Sequence, residues 1–308
     1  MSARWRRATG VALAAACVWA CSGPGESDAG DGGGGSTAAA SIGTLPPVEE
    51  LEQPGPFTVA TIDSTGPRNV YRLLYPRELG EGGIEHPVVA FGPGAGASPG
   101  MYATLLERIA SHGFVVLSYG STPAGPELIE AVDWLIAQNE PSSGLLSGKL
   151  DTDHVAVAGH SAGSLATFAI ADDDRITTTL HLQGGTFPPH PGVANLRAPA
   201  QFICGETPAD GQDGVRAGDW ANPHCEVDFQ NAEVPVFYGS LKGAAQIQLT
   251  DAARGADDPL KLKMIGAIVG WLRWRLAGDQ SQRPRYAGPD CELCDPGSGW
   301  SVKQRDLM

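Results

Sequence analysis

From about residue 58 onward the chain alternates short apolar runs with amphipathic stretches. Thr58–Asp63 and Asn69–Tyr75 are β-branched or aromatic runs separated by turn residues, which predicts an opening antiparallel pair. Pro87–Phe91 is continuously apolar, as expected of a strand covered on both faces. Tyr102–Ser111 follows at helical spacing, with Leu105, Leu106 and Ile109 on one side. A strand over Phe114–Ser118 comes next, then a helix over Pro126–Gln138 that turns Leu128, Val132 and Leu135 inward. The apolar run from Val155 feeds a helix-forming stretch, Ser164–Ile170, and Thr178–Leu182, Ala200–Cys204 and Val234–Tyr238 predict three more strands. Leu260–Leu276 predicts a closing helix with Met264, Ile268, Trp271 and Leu272 in one stripe, so Trp271 and Trp274 read as core and rim. Strands alternating with helices imply an α/β fold with a mostly parallel, eight-stranded sheet and helices on both faces. No internal repeat is visible, and one domain over residues 45–308 is large enough to bury a substantial core.

The N-terminus breaks this pattern. Arg4, Arg6 and Arg7 precede an apolar run, Val11–Ala20, too short to span a bilayer, so residues 1–20 read as an export signal. Val18-Trp19-Ala20-Cys21 resembles a lipobox, although Trp19 is bulky for that pattern and Cys17 competes. Cys21 is the expected lipidation site, and a free secreted form is the alternative. Residues 21–44, rich in Gly, Ala and Ser, then form a flexible tether. The localisation expected is a bacterial cell envelope, with the membrane touched only through the lipid anchor. The net charge of −14 becomes more negative once the leader's arginines leave, and no basic stripe remains for nucleic acid. Cysteines fall at 17, 21, 204, 225, 291 and 294; with the first two removed or lipidated, four allow three pairings. Export favours disulfides, and Cys204–Cys225 with Cys291–Cys294 is the pairing expected. The C-x-x-C at 291 lacks two further ligands for zinc and a βα context for redox chemistry. No convincing metal cluster and no cofactor are implied.

Candidate chemistry sits at Gly159-His160-Ser161-Ala162-Gly163, a G-x-S-x-G between a strand and a helix. Glycines at both ends let the backbone turn sharply and lift Ser161 Oγ above the strand ends. Such a serine needs a base, an orienting acid and an oxyanion hole. One oxyanion donor is the N–H after the nucleophile, at Ala162, and the second comes from the Gly-rich loop Phe91–Ser98.

Pro87–Leu117 with Gly92-Pro93-Gly94 and Ser111–Val116, the G-H-S-A-G elbow, Ile203–Glu206, Pro235–Gly243 and the final helix with its Cys-bearing tail together resemble the polyester hydrolase and cutinase-like branch of the α/β-hydrolases, close also to dienelactone hydrolases. The resemblance covers most of residues 55–300. It implies an α/β-hydrolase fold, a nucleophile at Ser161, oxyanion donors at the backbone of Ala95 and Ala162, and ester or polyester substrates in a shallow cleft. Two positions depart from the pattern. Gln246 occupies the slot of the family's histidine, and an amide cannot accept a proton at neutral pH. Pro208 stands where the acid is expected, flanked by Glu206 and Asp210, of which Asp210 is the candidate acid.

The remaining histidines offer one substitute. His86, His112 and His154 read as structural, His160 points away from Ser161, His181 lies in a strand and His190 in a Pro-rich loop. His224 becomes the candidate base if Cys225 pairs with Cys204, which would hold it near the end of the seventh strand. Two readings follow: an exported serine ester hydrolase with an unusual base such as His224 or a bound water, or a pseudoenzyme that binds an acyl or polymer ligand. A purely structural envelope protein, the third, predicts no open cleft beside Ser161.

Overall fold

The computed structural model describes residues 44–207, 218–251 and 255–307, without the side chains of 207 and 218–224. The expected signal peptide, most of the tether, the lipidation site Cys21 and the candidate acid Asp210 lie outside the described residues. The strands are β1 (Val59–Thr65), β2 (Tyr71–Pro76), β3 (His86–Gly92), β4 (Val115–Tyr119), β5 (Leu150–His160), β6 (Ile176–Leu182), β7 (Ala200–Thr207), β8 (Val236–Ala245) and β9 (Trp300–Arg305). They form one sheet in the order β1-β2-β4-β3-β5-β6-β7-β8-β9. β3 through β8 run parallel, whereas β1, β2 and β9 pair antiparallel. The eight-strand expectation is therefore corrected to nine among the described residues: the Cys-bearing tail returns as β9 along the edge of β8.

The helices are α1 (Ala103–Ser111), α2 (Pro126–Asn139), α3 (Ala162–Ala169), α4 (Gly218–Asn231) and α5 (Pro259–Arg275). Period-two alternation in the central strands explains their continuous apolar runs. Val89, Phe91, Val116, Ala156 and Ala158 pack with Leu105, Ile109 and Ile268 of α1 and α5. Their neighbours Val88, Ala90, Val115, Leu117, Val155 and Val157 pack with Leu128, Val132 and Leu135 of α2. A third cluster joins Phe168 of α3 to Phe202 and Phe229, which covers the β7 end of the sheet with α4. Helix α5 is buried nearly all round, with Trp271 donating to Thr178 Oγ1 over 2.9 Å and Trp274 beneath Arg275.

Order along the sheet fixes where a site can form. The chain passes from β3 outward to β4 and back across to β5, so β3 and β5 flank the point where connections diverge. Crevices at such switch points, at the carboxyl ends of the strands, are where α/β folds bind ligands. Gly92 at the end of β3 is in register with Gly159 near the end of β5. This is the α/β-hydrolase arrangement.

Candidate active site

Ser161 joins β5 to α3 with φ 52° and ψ −115°, a combination rarely held by a residue with a Cβ. Its neighbours hold it there: Ser161 N–H donates to Leu182 O over 2.9 Å, while the turn is closed so tightly that a Cβ on Gly159 would strike Gly163 and one on Gly163 would strike Gly92. The Gly-rich loop after β3 passes beside this elbow. Within it Ala95 is exposed, and neither its N–H nor that of Ala162 takes an acceptor from the described residues. Ala95 lines the cavity described next, whereas Ala162 follows Ser161 as the first residue of α3.

That cavity measures about 600 Å³ and is open to solvent. Ser161, Gln246, His160 and Tyr102 supply its polar wall, and Ala97, Met101 and Ile247 its apolar one. A separate cavity of about 390 Å³, lined by Asp63, Arg72 and Tyr119, does not include Ser161.

Gln246 follows β8, and its Nε2 donates to Ser161 Oγ over 2.9 Å. The sequence thus places an amide in hydrogen-bond contact with the serine. A carboxamide has no lone pair basic enough to take a hydroxyl proton at neutral pH, so this contact orients Oγ without activating it.

His160, adjacent to the serine, is buried and takes other partners. Its Nε2 lies 2.8 Å from the backbone oxygen of Gln246, and its Nδ1 lies 2.9 Å from the Tyr102 hydroxyl. Burial pushes the imidazole down to about 4, only partly opposed by the Gln246 carbonyl, so the ring is neutral at pH 7. A neutral ring meeting a carbonyl at Nε2 carries its proton there, and Nδ1 then accepts from Tyr102. Tyr102, held protonated by burial, in turn accepts from Gly94 N–H over 3.0 Å. A single chain of hydrogen bonds thus runs from the Gly-rich loop through Tyr102 and His160 to the loop that carries Gln246. Sequence reasoning missed the role of Tyr102, because an apolar-face tyrosine at the start of a helix looks like core.

The other candidates are placed as follows. His224 belongs to the backbone of α4, with its side chain outside the described residues. The disulfide Cys204–Cys225 ties α4 to β7 with a Cα separation of 6.8 Å, and Cys225 Sγ lies 3.3 Å from Gly184 O, behind the elbow. Cys291–Cys294 closes the turn before β9, with a Cα separation of 4.9 Å. His86 and His112 bond to the backbone at Gly113 and Gln53, His154 pairs with Asp151, and His181 stacks on Phe168. His190 lies 3.0 Å from Asp228, a buried carboxylate that also accepts from Thr186 N–H and Oγ1. Burial pushes the Asp228 carboxyl up despite those donors. This pair was not legible, since α4 itself was not.

Residues 33–207 match the PETase family, described as PET hydrolase-like. Among curated proteins, Cutinase 2 of Thermobifida cellulosilytica is 34% identical over 131 residues, 38% of this chain and 46% of that protein. Cutinase cut1 of Thermobifida fusca is 34% identical over 131 residues, 38% of each chain. Cutinase est2 of Thermobifida alba is 31% identical over 131 residues, 38% of this chain and 40% of its own. The matched stretch therefore spans less than half the length of each of these relatives.

Proposed function

The chain belongs to the PET hydrolase-like family, and from that premise we propose that it is an exported member whose Ser161 cleft still receives ester- or acyl-bearing ligands but no longer turns them over. The observation that carries this reading is the 2.9 Å contact from Gln246 Nε2 to Ser161 Oγ. In a triad, the partner at that atom must take the serine's proton and later return it to the leaving group. An amide does neither. The strained backbone of Ser161 and the open cavity support a retained cleft, and the oxyanion donors that the family resemblance implies at Ala95 and Ala162 belong to the same reading. The open cavity also argues against a purely structural envelope protein. Export is supported by the arginine-led apolar leader and by two disulfides. Attachment through a lipidated Cys21 is part of the same reading.

A second reading is favoured by one specific contact. Cys225 Sγ lies 3.3 Å from Gly184 O, and its disulfide ties α4 to β7; a relocated base at His224, the residue before it, is the reading this contact supports.

Hydrolysis of a short p-nitrophenyl ester by the purified chain tests both readings. In a serine protease, loss of the histidine alone lowers turnover by about 10⁶. Wild type is therefore expected to match Ser161→Ala, and Gln246→His to gain at least about tenfold. Turnover lost on both Ser161→Ala and His224→Ala would instead establish the relocated base.

A further inference from the structure

The direction of the hydrogen bond at Ser161 has a chemical consequence for what the cavity holds. A catalytic serine donates its proton to an imidazole and turns its lone pairs toward an incoming carbonyl. Here Gln246 Nε2 donates to Oγ, so the amide engages a lone pair and the hydroxyl hydrogen is left to donate elsewhere. The second hydrogen of the same amide is a further donor. His160 contributes no acceptor, because Nε2–H is spent on the Gln246 carbonyl and Nδ1 on the Tyr102 hydroxyl. Ala95 lies beside them in the lining, and Ser161 itself caps the N-terminus of α3, whose dipole favours negative charge. Among the described residues no carboxylate lines this cavity, and the wall opposite is apolar, built by Ala97, Met101 and Ile247.

We propose, on the reading that the cleft binds without turnover, that this cavity is a receptor for monocarboxylates, the free acids rather than the esters. One carboxylate oxygen accepts from the amides of Ala95 and Ala162 and from Ser161 O–H. The other accepts from Gln246 Nε2, and the organic part lies along Met101 and Ile247. Charge-assisted bonds of this kind are roughly twice as strong as neutral ones. An ester offers the same carbonyl, but its alkoxy oxygen is a poorer acceptor and carries a carbon where the amide hydrogen points. The change from imidazole to amide thereby converts a site that expels an acid product into one that retains it.

Calorimetric titration of the purified chain at pH 7 with benzoate, methyl benzoate and benzamidine tests this, alongside Ser161→Ala and Gln246→Met. The methionine keeps the side-chain volume and removes the donor. Benzoate is expected to bind at least about tenfold tighter than methyl benzoate, with benzamidine silent and with about tenfold loss in each variant. Gln246→His, in which the hydroxyl again donates to a ring, is expected to weaken benzoate as well. Benzoate bound no tighter than its methyl ester, bound indifferently to both substitutions, or not bound at all overturns the proposal. Ser161-dependent hydrolysis of a p-nitrophenyl ester by wild type overturns instead the reading beneath it, and the same titration still reports the carboxylate preference.

Discussion

Three side chains and one backbone amide decide what Ser161 can do. Gln246 holds Oγ, His160 holds the Gln246 backbone, Tyr102 holds His160, and Gly94 N–H holds Tyr102. Tyr102 and His160 are buried, so neither readily turns to water for a replacement partner. Tyr102→Phe is expected to strand Gly94 N–H and His160 Nδ1 at a cost of about 1–3 kcal/mol, read as a fall in the denaturation midpoint without a change in slope. An unchanged midpoint would mean the relay is ornamental to stability. The serine, the flanking glycines and the amide at position 246 were legible in the sequence, because each is a local signal or a departure from a local pattern. The partnership of Tyr102 with His160 was not: they are 58 residues apart, and only folding brings them to 2.9 Å.

At the scale of elements, strands buried on both faces were read with little error, since a short, continuous apolar run bounded by turn residues fits between two covering layers and almost nowhere else. Helix α4 was missed. Gly218-Asp219-Trp220-Ala221-Asn222-Pro223 contains turn formers and a proline, and the helix has almost no amphipathic period; among its described side chains Cys225 and Phe229 join the core. Strand β9 was missed for the opposite reason: an edge strand ending in Lys303, Gln304 and Arg305 carries little of the alternation that marks a strand, and its Val302 and Trp300 alone face the core. The elbow is the junction where elements meet most closely. Gly163→Ala is expected to force α3 away from the end of β3, with loss of about 3 kcal/mol or more, or no soluble protein at all. Gly255→Ala, where the added methyl meets open space, is the control expected to leave the thermal midpoint in place.

Across the whole molecule, four histidines among the described residues are buried as neutral groups. Burial lowers His112 and His160 to about 4 and His181 to about 3, and it lowers His86 as well. In the unfolded chain each binds a proton from about 6.5 downward, so the unfolded state takes up more protons and stability falls as pH drops from about 6.5 toward 4. Each group withdraws up to about 1.4 kcal/mol per pH unit in that window. Asp228, pushed up by burial, acts in the reverse sense, losing stability as pH rises past its ordinary 3.8. The melting temperature is expected to hold steady between pH 8 and 7 and to drop steeply between 6.5 and 4; a flat profile there would contradict the buried neutral rings. The fold thus keeps its hydrolase frame while the reacting atom is partnered by an amide. Whether Ser161 is a nucleophile is answered most directly by exposing the purified chain to a fluorophosphonate and weighing the intact protein. Wild type is expected to gain no mass while Gln246→His gains one adduct at Ser161; rapid, stoichiometric labelling of wild type, abolished by Ser161→Ala, would show that the serine is activated after all.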